Sequence, residues 1–145
     1  MYKHLLIATD GSELAQKAVT QGLALARALA GKVTVVTVTE PLYAMFSGDM
    51  PYTPPMEDYE KSIAESAAAI LTSVTAQAQA QGQPCEVLHV RDRYPADGIV
   101  ESANKLGCDL IVMASHGRRG ISRMLLGSQA NQVVVHSPIP VLICR

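Results

Sequence analysis

Between Ala114 and Gln132 the chain reads ASHGRRGISRMLLGSQANQ, a stretch whose residue types and spacing suit anion binding. Gly117 directly follows an apolar run, and Gly127-Ser128 stands immediately before a short helical pattern, so the two glycine positions bracket a strand-to-helix connection. Glycine lets backbone amides approach an anion closely, and a helix N-terminus adds unpaired N–H groups and positive potential. Ser128 is placed either to cap that helix or to donate its hydroxyl to a phosphate oxygen. Arg118, Arg119 and Arg123 add positive charge nearby. No lysine follows the last glycine, which excludes a P-loop, and no G-x-G-x-x-G occurs, which excludes the dinucleotide fingerprint. Glycines and arginines also suit an ordinary solvated turn, and spacing alone leaves both readings open.

Few other residues offer chemistry. Asp10-Gly11-Ser12 is a turn signal, and Asp10 with Glu13 has capping-box spacing, so Asp10 is either a helix cap or a ligand contact; Ser12 is an alternative cap. His116 either polarises a phosphate or stands in solvent. His89 and His136 lie in apolar stretches and are expected to be packed, and His4 has no evident partner. No G-x-S-x-G turn, H-E-x-x-H pair or spaced carboxylate dyad is present, so no catalytic role is assigned. Cys85, Cys108 and Cys144 are odd in number and widely spaced, which suits reduced thiols better than disulfides or a zinc site.

These residues must be positioned by a small scaffold. With 145 residues, 48% of them hydrophobic, the chain has the size and apolar content of one domain. Twelve basic and thirteen acidic side chains leave no basic footprint for nucleic acid and no polybasic run for a membrane. The apolar run in MYKHLLIATDGS is too short for a signal-peptide core or a membrane span, and a cytoplasmic location is expected.

Strand and helix patterns alternate along the chain. Strands are expected at His4–Thr9, Lys32–Thr39, Pro84–Val90, Asp109–Ala114 and near Ile139–Cys144. Helices are expected at Glu13–Ala30, with Gly31 in the C-cap position, at Glu57–Gln81, at Ala96–Leu106 and near Ser128–His136. Pro41–Met56 holds four of the eight prolines and the only phenylalanine, and no regular element fits it. This alternation is the signature of a doubly wound α/β domain with a mostly parallel sheet and helices on both faces. Ligands bind such sheets outside the carboxyl ends of the strands, where the strand order reverses. Periodicity does not give that order.

A small residue, two more, Gly117, nine more, then Gly127-Ser128 and later PIPVLIC form a pattern that closely resembles the nucleotide-binding branch of the universal stress protein family. The opening HLLIATDGSELAQKAV and the strand VTVVTVTEP extend the resemblance over nearly the whole chain. It implies one domain over residues 1–145 with a five-stranded parallel sheet of order 3-2-1-4-5. It further implies a regulatory protein of the stress response, not an enzyme, holding ATP or AMP, with or without Mg2+. Thr9, Asp10 and Val38 would meet ribose and adenine, and Met113 and Ala114 would line the floor. Gly117, Gly127, Ser128 and Gln129 would hold the phosphates, with His116 and Arg118 beside them. Pro41–Met56 would be a mobile flap over the adenine side. The family pattern begins with glycine where this chain has Ala114, and an alternative is therefore the same fold used as a dimeric interaction module without bound nucleotide. If the family strand order holds, Ile139–Cys144 is an apolar edge strand suited to pairing with a second copy.

Overall fold

The structure is a computed structural model that describes residues 1–45, 55–117 and 126–145. Its elements run β1 (His4–Ala8), α1 (Glu13–Leu29), β2 (Lys32–Thr39), α2 (Leu42–Met45), α3 (Met56–Ala80), β3 (Glu86–Arg91), α4 (Pro95–Leu106), β4 (Leu110–Ala114), α5 (Ser128–His136) and β5 (Val141–Cys144). The five strands are all parallel in the order β3-β2-β1-β4-β5. The expected α/β class and strand order are those observed.

The central strand explains why its sequence is apolar on both faces. Leu5 and Ile7 pack in a cluster covered by α1 and α3, whereas Leu6 and Ala8 pack in one covered by α4 and α5. Leu5, Leu6 and Ile7 are fully buried, and burying a side chain of this size stabilises the fold by about 1.5–3 kcal/mol. Two cores thus hold the sheet as a rigid floor for whatever lies at its ends.

Local chemistry moves several expected boundaries. Helix α1 begins after Ser12, whose Oγ accepts from the Ala15 N–H at 3.2 Å, so Ser12 and not Asp10 is the cap. Asp10 instead accepts the Ser12 N–H on Oδ1 at 2.9 Å. At the other end Ala30, not Gly31, takes the left-handed conformation with φ 54°. Gly31 answers to a different need: a Cβ there would stand 3.2 Å from the Tyr2 carbonyl oxygen, too close to the segment entering β1. Strand β3 starts at Glu86 because Pro84 has no N–H to give the ladder. Asp109 is not part of β4; its carboxylate accepts the amides of Lys3 at 2.8 Å and His4 at 3.0 Å, tying together the amino ends of β1 and β4.

The segment expected to lack regular structure holds the single turn of α2, where the Pro41 carbonyl accepts from the Ala44 N–H at 3.0 Å. Most of the expected flap, residues 46–54, lies outside the described residues. Two histidine expectations also change. His136 is exposed on the outer face of α5, because Ala130 and Val133 form its inner face. His4 has a partner, the Thr34 hydroxyl at 2.8 Å from Nε2. Cys108 and Cys144 are buried and Cys85 is half-buried, all three as free thiols. Burial and the neighbouring Asp109 carboxylate push the Cys108 thiol up to about 11, which leaves it a packing residue at neutral pH.

Candidate functional site

Helix α1 leaves β1 toward one face of the sheet, while the chain leaving β4 reaches α5 on the other. The strand order therefore reverses between β1 and β4, which opens a crevice at their carboxyl ends. A cleft of about 530 Å³ lies there. Thr9, Asp10, Val38, Met113, Ala114, His116, Gly117, Gly127, Ser128 and Gln129 all line it. Of the expected site residues only Arg118 is missing from this set, and it lies outside the described residues.

One limb of the cleft is polar. Gly117 sits against Asp10 so closely that a Cβ would stand 2.6 Å from the carboxylate Oδ2. A side chain at 117 would have to displace the Asp10 carboxylate from this position. The chain returns at Gly127, whose N–H donates to the Ser115 carbonyl at 2.8 Å, and a Cβ on Gly127 would stand 2.7 Å from that same oxygen. The Ser115 N–H in turn donates to the Cys144 carbonyl at 2.9 Å, so one residue joins β5 to the closing end of the loop. Gly127 thus answers to a close backbone approach and Gly117 to the Asp10 carboxylate, and neither is among the positive-φ residues.

Helix α5 opens directly onto this limb. Gly127 is its N-cap, with no side-chain cap and no acidic residue in the first turn. The first intrahelical bond is Asn131 N–H to the Gly127 carbonyl at 2.9 Å, so the helix itself offers no acceptor to the amides of Ser128, Gln129 and Ala130. Those amides and the helix dipole favour a negative ligand. Ser128 is the first helical residue, which removes it as the cap and leaves its hydroxyl as a group lining the cleft. The Gln129 side chain is engaged elsewhere: its Oε1 accepts from the Ala96 N–H at 3.2 Å, closing the N-terminus of α4. What Gln129 presents for an anion is its backbone N–H.

His116 is half-buried, with Nδ1 and the Ser115 hydroxyl 3.0 Å apart, so it is neither loose in solvent nor directed by a carboxylate. At the rim, Thr39 lines the cleft and pairs through Oγ1 with His89 Nε2 at 2.9 Å. Burial and then the Arg91 charge push His89 below the ordinary histidine value, favouring the neutral ring. His89, expected to be packed, is half-buried on the edge strand β3.

The second limb is apolar and faces α4: Ala8, Val36, Val38, Pro95, Ile99 and Met113 line it. Pro95 and Ile99 were not singled out in the sequence. Ile99 has the spacing of an ordinary core position, and only the tertiary fold distinguishes the two. Ala114 does not belong to this limb. Along β4 the side chains alternate, so Met113 packs with the α4 and α5 cluster while Ala114, 7% exposed, joins the cluster beneath α1. The methyl that stands where the family pattern begins with glycine packs with that core, while residue 114 still borders the cleft. A second hollow, about 520 Å³ beside Ala24, Arg27, Ala28 and Gln81, contains none of the expected site residues.

The chain matches the universal stress protein family over residues 1–145. It is 34% identical to a universal stress protein of Thermus aquaticus, over the whole of both chains. Its fold is similar to the solved structure of MJ0577 from Methanocaldococcus jannaschii, with a TM-score of 0.81 and 26% identity over 99% of this chain and 96% of that one. It is also similar to a universal stress protein solved in complex with cAMP, with a TM-score of 0.74 and 29% identity over 99% and 97% of the two chains. A full-length family match, full-length relatives and a shared fold together establish that this chain belongs to the universal stress protein family.

Proposed function

We propose that this protein is a cytoplasmic regulator that binds ATP or AMP in the cleft between β1 and β4. The observation that carries this reading is the side-chain-uncapped N-terminus of α5 meeting Gly117 and Gly127 beside an apolar limb. Phosphates suit the first; the faces of a purine suit the second. Asp10 lines the cleft beside Gly117 and is suited to the ribose hydroxyls. The relative solved with cAMP carries the same base, which supports the choice of adenine. Among the described residues no three carboxylate, histidine or cysteine side chains gather as a metal cage, so no residue is assigned to Mg2+. The alternative of an empty interaction module drew its motive from Ala114, and a methyl packed beneath α1 weakens that motive.

The same reading includes a homodimer along β5. That strand ends the sheet among the described residues, and Leu142 on it is 39% exposed, with Val134 and Val135 exposed on the neighbouring α5. Antiparallel pairing about a two-fold axis would complete the ladder and cover the apolar edge.

Mass spectrometry of protein purified without added nucleotide, under native and then denaturing conditions, tests the ligand. Release of a stoichiometric adenine nucleotide supports the reading. A chain that carries none and gains none on incubation with ATP or AMP contradicts it.

A further inference from the structure

Helix α4 carries a glycine in its second turn, Gly98, which is buried and does not line the cleft. Glycine inside a helix is unfavourable unless something must come close. Here that something is Val38: a Cβ on Gly98 would stand 2.8 Å from its Cγ1 and 3.0 Å from its Cγ2, with Val90 Cγ1 at 3.4 Å. Val38 lines the apolar limb, so the same valine touches α4 on one side and the ligand space on the other.

The surroundings leave Val38 few ways to yield. On β3 its register partner is Val90, which already occupies that flank. On the other side β1 has ended, its last pair with β2 being Ala8 and Val36, and the cleft begins. Helix α4 is itself anchored by the Ala96 N–H to Gln129 Oε1 bond and by the buried Ala96, Ile99 and Ala103. A β-branched side chain has little rotamer freedom with which to escape.

We infer that Gly98 is a positioning residue for the nucleotide base: by having no side chain it holds Val38 back and sets the width of the apolar limb. This rests on the adenine-nucleotide reading above. A methyl at position 98 drives Val38 into the limb or pushes α4 away from it, and either change spoils the fit to a flat purine.

Calorimetric titration with AMP of four proteins tests the inference: wild type, Gly98→Ala, Val38→Ala and the double variant. Gly98→Ala is expected to weaken binding by at least about tenfold, as overpacking at a close contact, and Val38→Ala by about threefold through lost contact with the base. In the double variant the new methyl fills the space left by the valine, so Gly98→Ala should cost little there, and its affinity should approach that of Val38→Ala alone. Thermal unfolding checks that each chain is folded; alanine is the better helix former, so the double variant is expected to melt no lower than Val38→Ala. An equal loss from Gly98→Ala in both backgrounds, or no loss in either, overturns the inference while leaving the nucleotide reading intact. Failure of the wild type to bind AMP or ATP overturns that reading and this inference together.

Discussion

Helices α1 and α5 both start at the carboxyl pole of the sheet, one after β1 and one beyond β4, yet their first turns are finished differently. In α1, Ser12 takes the Ala15 amide and Asp10 takes the Ser12 amide, and Glu13 in the first turn offsets the dipole. Helix α4 is closed from outside by Gln129. Helix α5 has Gly127 for a cap and no acidic residue in its first turn, and among the described residues no side chain caps it. A helix end satisfied within the chain contributes stability; one left for a ligand, at the mouth of a cleft, contributes function. Glycine as the cap costs only about a few tenths of a kcal/mol relative to serine, and nucleotide phosphates would offset that cost on binding.

Substitutions can break this contrast, and the most damaging should be Gly117→Val. Its Cβ would enter the space 2.6 Å from Asp10 Oδ2 and force the two loops apart, so ATP affinity should fall by more than about a hundredfold while circular dichroism reports a folded chain. Unchanged affinity by calorimetry would remove the loop from the site. Leu142→Lys, at the half-exposed position on β5, touches neither helix end. It should halve the mass seen in sedimentation while ATP affinity stays within about twofold; an unchanged mass would put any dimer contact elsewhere.

A paired comparison then separates the two helix starts. Ser128→Ala removes a hydroxyl facing the cleft, and ATP affinity should drop by about tenfold, the worth of a hydrogen bond to a charged group, with the melting temperature nearly unchanged. Ser12→Ala should show the reverse, a loss of about 1 kcal/mol in unfolding free energy by denaturant titration and affinity within about twofold of wild type. If the two serines exchange these effects, the contrast between α1 and α5 is wrong.

Much of the fold is legible in the chain because its causes are local or periodic. The apolar run of β1 follows from cover on both faces, and the β-branched residues of β2 follow from the same cause. Strand order is not local, and it entered through the family resemblance and not through periodicity. The residues named for the site entered through the same resemblance, carried by the spacing of Gly117 and Gly127-Ser128, and those that are described line one cleft. What escaped the sequence depends on contacts between distant segments. The close approach of Val38 to Gly98 and the bond from the Ala96 N–H to the Gln129 side chain join residues far apart in the chain, and no local pattern announces either. Gly31 was expected to end α1, but Ala30 takes the left-handed cap and Gly31 instead makes room for the backbone of Tyr2. The single turn of α2 is too short to have a period.

Backbone amide chemical shifts during titration with ATP address the α5 N-terminus itself. Gly117, Gly127, Ser128, Gln129 and Ala130 should move together and saturate at one equivalent, while Ala15, already bonded to Ser12, and residues around Arg27 and Gln81 stay in place. Saturating shifts confined to α1 or to the hollow beside Arg27, with the α5 amides unmoved, would contradict nucleotide binding at this helix end.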